Sequence, residues 1–138
     1  MNPEQTLKLI LRLIGTSSLF ALIFVAAPYS WMNTIHLELG LGILPNDPVV
    51  GYLARSTSAF YAILGGLLWV VSFDLPRHRQ VLIYLGYALT LFGLILLIVD
   101  WWEGLPFFWK IWEGPFVIVF GLAVLFLSRA IEPVKRGE

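Results

Sequence analysis

The sequence predicts an all-α integral membrane protein, a four-helix bundle with both termini on the cytoplasmic side. Three observations carry this. Four apolar stretches, at residues 7–27, 52–73, 81–99 and 115–131, fit the ~17–25 helical residues needed to cross a bilayer core of about 30 Å. The 138-residue chain is 59% hydrophobic and only 13% charged, about half the charged fraction of an ordinary globular domain. Seven of its nine basic residues fall on one side of the expected topology. Inside hydrocarbon each backbone polar group must be satisfied within its own segment, which excludes open sheets.

The basic count sets the orientation. Four spans place the N-terminus, the 74–80 loop and the C-terminus together. That side holds Lys8, Arg12, Arg77, Arg79, Arg129, Lys135 and Arg136, against Arg55 and Lys110 on the other. Lys and Arg collect in the cytoplasm, so the protein is expected to be N-in and C-in. Such a bias argues against a dual-topology transporter. The first apolar run exceeds the ~7–15 residues of a signal-peptide core and lacks a small-residue cleavage site, so it is expected to be a retained helix.

A single domain over residues 1–138 follows, with short loops and one longer outer connection between helices one and two. Asn46-Asp47-Pro48 reads as an N-cap followed by a first-turn proline, starting helix two near Pro48. Asp74-Leu75-Pro76 ends that helix, and Arg77-His78-Arg79 forms the turn into helix three. Glu113-Gly114-Pro115 reads as the start of helix four, with its carboxylate at the positive end of the helix dipole. Within the long connection, Leu37, Leu39 and Leu41 alternate with Glu38, Gly40 and Gly42, the pattern of a short extended segment on the membrane surface.

Small residues let membrane helices approach closely. Helix two carries Ala54, Ser58, Ala62 and Gly66 at four-residue spacing. Helix three has Gly86 and Gly93, and helix four has Gly114, Gly121 and Ser128, at seven-residue spacing. Helices two, three and four are therefore expected to form the tight centre, with Ala62 and Gly66 in a close contact and helix one alongside.

Charged residues in spans are costly, pair with one another and mark functional sites. Arg55 lies two turns into helix two, near the phase of Ala62 and Gly66. Asp100 continues the Gly86–Gly93 interval, and Glu113 stands at the same membrane level. The three are expected to converge below the outer surface, with Arg55 bonded to at least one acid. One arginine against two carboxylates leaves an unbalanced negative charge, so either one acid is protonated or a cation or ligand donor completes the site. The competing readings are a packing cluster, a functional site and a lipid-headgroup contact.

Trp31, Trp101, Trp102, Trp109 and Trp112, five of the six tryptophans, are placed on that same side with Tyr29, Tyr52, Phe107, Phe108 and Phe116. An interfacial aromatic belt accounts for part of this. Belts are normally two-sided, however, and the asymmetry points to an aromatic-lined pocket or a partner surface. The candidate binding residues are therefore Arg55, Asp100, Glu113, Trp101, Trp102, Trp109, Trp112 and Tyr52.

Other chemistries find no support. With no cysteine the chain has no thiol–disulfide chemistry. Zero net charge gives no reason to expect nucleic acid. His36 and Glu38 lack a third ligand at metal spacing and read as loop residues. No predicted helix carries a histidine, which excludes paired-histidine haem ligation. No phosphate-cradling glycine loop and no serine beside a base is present. No cofactor, metal or catalytic residue is assigned.

The stretch Tyr52-Leu53-Ala54-Arg55-Ser56-Thr57-Ser58-Ala59-Phe60-Tyr61, with Asp100 and Glu113-Gly114-Pro115, resembles a family of small uncharacterised bacterial four-helix proteins similar to the DoxX-like and BphX-like groups. That resemblance implies a fold and a place in a bacterial inner membrane, but no activity. A more distant likeness to the emopamil-binding sterol isomerases and the sigma-2 receptor implies at most a cavity, because the in-helix histidine–glutamate pair of such an isomerase is missing.

Three functions compete. The first is an outward-facing charged, aromatic-lined site for a lipid-soluble molecule such as a quinone, an isoprenoid or a membrane lipid. The second is an accessory subunit docking onto a larger membrane complex through its outer tryptophans. The third is an enzyme using Asp100 or Glu113 as a proton donor beside Arg55.

Overall fold

A computed structural model describes residues 2–132, and Lys135 and Arg136 of the basic count lie outside the described residues. Every regular element among those residues is helical: α1 (Pro3–Leu19), α2 (Leu22–Ala26), α3 (Tyr29–Glu38), α4 (Pro48–Val71), α5 (Arg79–Trp102) and α6 (Phe107–Arg129). Four helical stretches are long and apolar enough to cross a membrane: Pro3–Ala26, in which α2 continues α1, then α4, α5 and α6. By contacts the chain divides into two units, Arg12–Trp69 and the chain flanking it.

Within Arg12–Trp69, α1 and α4 meet backbone to backbone. A Cβ placed on Gly65 would stand 2.6 Å from the Gly15 carbonyl oxygen, and one on Gly15 would stand 3.0 Å from that of Gly65. The Trp69 indole donates to Thr16 Oγ1 at 3.1 Å, and the Arg12 guanidinium lies 4.9 Å above the Trp69 ring. This corrects two expectations. Helix one takes part in a tight crossing, and the close glycine is Gly65, since nothing lies within 4 Å of a Cβ on Gly66. A four-residue interval drifts about 40° round a helix of 3.6 residues per turn, so Ala54 and Gly66 are about 120° apart and share no face.

Ala27 precedes Pro28 and takes the extended conformation that proline imposes on its predecessor (ψ 139°), which separates α2 from α3. Helix α3 replaces the extended segment expected around residues 37–41. The alternation there is the end of a helix followed by Gly40 and Gly42, whose φ values of 70° and 84° suit glycine. At Pro48 the expectation holds: Asp47 Oδ1 accepts the Val49 amide at 3.0 Å.

In the flanking unit, α5 and α6 form a hairpin along their glycines. A Cβ on Gly86 would meet Leu125 at 2.7 Å, and one on Gly93 would meet Ile118 at 2.7 Å. Likewise Gly121 abuts the Thr90 amide (2.5 Å) and Gly114 the Gly93 carbonyl (3.0 Å). Seven residues drift only about 20°, so these series do mark single faces, as the sequence predicts. Leu82, Leu85, Leu89, Val124 and Leu125 are buried, and Ser128 is buried at the end of its series.

Helix α6 begins at Phe107, with Pro106 as N-cap, so Glu113 lies inside the helix instead of capping it. The turn before it closes on Gly104 at φ 69°, with the Leu105 amide bonded to the Asp100 carbonyl at 3.1 Å. Pro115 sits within α6 and costs a single backbone bond to the preceding turn. At the opposite end of the hairpin, Arg79 Nε donates to the Ile131 carbonyl at 2.9 Å and Nη2 to that of Arg129 at 3.3 Å, satisfying the end of α6. Arg129 bonds the Tyr87 hydroxyl and lies 5.5 Å above its ring.

Candidate functional site

Leu44 is the pin of the first site. Its amide donates to Asn33 Oδ1 at 2.8 Å and its carbonyl accepts the Tyr29 hydroxyl, so both side chains come from α3. His36 adds a third tie through Nδ1 to the Gly42 carbonyl at 2.8 Å. His36 therefore belongs to a helix and secures its exit loop. These bonds hold the loop of residues 39–47 against α3 and bring Asp47 to the start of α4.

Two turns into α4, the half-buried Arg55 donates its terminal nitrogens to the Val25 carbonyl and, at 2.9 Å, to the Ala27 carbonyl. Those carbonyls close α2, where helical partners run out. A guanidinium carries five N–H donors, so two bonds orient Arg55 and leave others for a further acceptor. Tyr29, Met32, Leu44, Asn46, Asp47, Pro48, Gly51 and Arg55 enclose a pocket of about 240 Å³. It is charged at two points, aromatic at one, polar at Asn46 and apolar elsewhere.

The second group of predicted residues lies at the α5–α6 turn. Asp100 is 2% exposed, and its Oδ2 has no hydrogen-bond partner among the described residues. Glu113 is half-buried and accepts the Trp109 indole N–H at 2.6 Å, one helical turn away. The Lys110 ammonium lies 4.7 Å from the centre of the Trp101 ring. The remaining predicted aromatics face outward. Trp102 is 84% exposed, and Trp112, 72% exposed, stacks on Phe116 at 6.0 Å. Trp101 and Tyr52 are also exposed, and Tyr52 does not line the Arg55 pocket. Among the described residues, no group of acids and histidines has the arrangement of a metal site.

Of the predicted residues, the Arg55 pocket thus contains Arg55 alone. Its other walls come from the long connection, through Tyr29, Met32, Leu44 and Asn46, and from the start of α4, through Asp47, Pro48 and Gly51. In the sequence Tyr29 reads only as a belt aromatic and Asp47 only as a helix cap. Helical phase for residues 29–38 could have revealed them, because Tyr29, Met32, Asn33 and His36 recur at three- and four-residue intervals.

Comparison with protein-family models, with characterised proteins and with solved structures gives no match.

Proposed function

We propose that this chain is a small multi-pass membrane protein of an inner membrane, with both termini cytoplasmic, whose Arg55 pocket binds the polar end of a lipid-soluble molecule from the outer side. One observation carries this reading: a half-buried arginine, oriented by two carbonyls, at a 240 Å³ pocket near the end of an apolar span. Binding sites combine apolar walls with a few placed polar groups, as here. The seven-to-two basic asymmetry supports the orientation. The likeness to the DoxX-like and BphX-like groups is part of the same proposal and rests on the residue pattern around Arg55.

A second reading has its own observation. Trp101, Trp102, Trp112 and Phe107 are exposed around the α5–α6 turn, and large aromatics anchor protein interfaces. Under this reading the chain docks onto a larger membrane complex.

Purification in mild detergent, followed by mass spectrometry of the organic extract, tests the first reading. A small molecule retained by the native chain and lost from Arg55→Ala supports it. If Arg55→Ala keeps the same bound molecules, the pocket is not their site. Loss of a co-purifying protein from Trp102→Ala and Trp112→Ala, with the small-molecule content unchanged, supports the second.

A further inference from the structure

The Arg55 pocket holds two opposite charges that do not bond to each other. Arg55 is tied to the Val25 and Ala27 carbonyls, and Asp47 uses one carboxylate oxygen to cap Val49. Both still line the same cavity. Opposite charges lining one pocket attract each other. Here they are held apart by separate backbone anchors, leaving a space with a cationic side and an anionic side.

Their order along the span matters. Asp47 stands just before α4, and Arg55 lies eight residues later, about 12 Å further along the helix axis at 1.5 Å per residue. Helical side chains lean toward the N-terminus, which brings the guanidinium back toward the pocket. The cation is therefore the deeper charge and the carboxylate the shallower one. A phospholipid headgroup has the complementary order, with its phosphate next to the glycerol and its amine further out.

Resting on the pocket reading above, we infer that the ligand carries a phosphoethanolamine group: phosphate oxygens accept from the Arg55 guanidinium and the ammonium donates to Asp47. Tyr29, Met32 and Leu44 supply the apolar side on which the glycerol end rests. The primary amine matters, because an ammonium N–H can bond a carboxylate and a quaternary amine cannot.

Gly51 offers a clean way to close the site. It lines the pocket, and nothing lies within 4 Å of a Cβ built on it, so a side chain there starts from open space at the pocket wall. The full chain is placed in phosphatidylcholine nanodiscs containing a minor fraction of phosphatidylethanolamine or phosphatidylglycerol, and retained lipid is counted by native mass spectrometry. The native chain should retain phosphatidylethanolamine in preference to phosphatidylglycerol. Arg55→Gln should lower retention about tenfold, the scale of lost charge-assisted hydrogen bonds. Asp47→Asn should lower the preference about threefold, as befits an exposed charge. Gly51→Phe should abolish retention with an unchanged melting temperature.

Equal retention of phosphatidylglycerol by the native chain, or an unaltered preference in Asp47→Asn, overturns the headgroup assignment. If Gly51→Phe expels some molecule without a phosphate, that assignment fails while the pocket reading stands. If no bound molecule responds to Gly51→Phe, both fail. Soluble phosphoethanolamine added to delipidated protein identifies the source: a rise in melting temperature points to the free phosphoester, and stabilisation by the lipid alone points to the membrane.

Discussion

Gly15 and Gly65 cross with no side chain between them, each lying where the other's Cβ would be: a Cβ on Gly65 falls 2.6 Å from the Gly15 carbonyl oxygen and 3.0 Å from the Leu19 amide. The atoms a Cβ on Gly65 would meet are two backbone atoms and the Ser18 Cβ, none of them the free end of a flexible side chain. Gly65→Ala is expected to destabilise the protein by about 1–3 kcal/mol, the usual penalty for overpacking. Gly66→Ala, one residue on, meets open space and should gain slightly from its better helix propensity. Melting temperatures in one detergent separate the two. Equal effects would mean that the crossing is not at Gly65.

The same comparison explains what the sequence conveys and what it does not. Spans are legible because ~20 apolar residues have few other uses. The α5–α6 seam is legible because a seven-residue interval stays in phase. The α1–α4 crossing is not, because four-residue intervals drift and a glycine pair such as Gly65-Gly66 offers two faces. Glu113-Gly114-Pro115 imitates a helix start, while the true start at Pro106 follows the Gly104 turn. Arg55 was recognisable as a residue needing partners. Its partners among the described residues are main-chain carbonyls, which leave no mark in a side-chain pattern.

The Gly121 contact sets a second expectation. A Cβ there would stand 2.5 Å from the Thr90 amide nitrogen and 3.0 Å from the Gly86 carbonyl. Gly121→Ala should therefore loosen the α5–α6 hairpin by about 1–3 kcal/mol. A chain with unchanged thermal stability would contradict the close seam.

Asp100 keeps a buried carboxylate oxygen that has no hydrogen-bond partner among the described residues. Such a group costs about 1–3 kcal/mol, more when charged. Asp100→Leu, which removes it, is expected to hold or raise the detergent melting temperature of the isolated chain. A large fall would show that Asp100 is engaged by a donor bound to the protein.

Topology is read by reporter fusion. The proposed orientation, drawn from seven of nine basic residues on one side, has the C-terminus in the cytoplasm, so under it a periplasm-active reporter joined there should be silent and a cytoplasm-active one should signal. The reverse would turn the Arg55 pocket toward the cytoplasm.

The central claim is that the Arg55 pocket is occupied by a lipid-soluble molecule. The chain has no cysteine, so Gly51→Cys places a single reactive thiol in the pocket wall. The decisive measurement is the rate at which a polar maleimide modifies that thiol in mild detergent, before and after exhaustive delipidation. The account expects slow labelling at first and at least about tenfold faster labelling once the ligand is stripped, the change expected if occupancy is worth about 1.4 kcal/mol. Equal rates in the two states would mean an empty pocket and would contradict the claim.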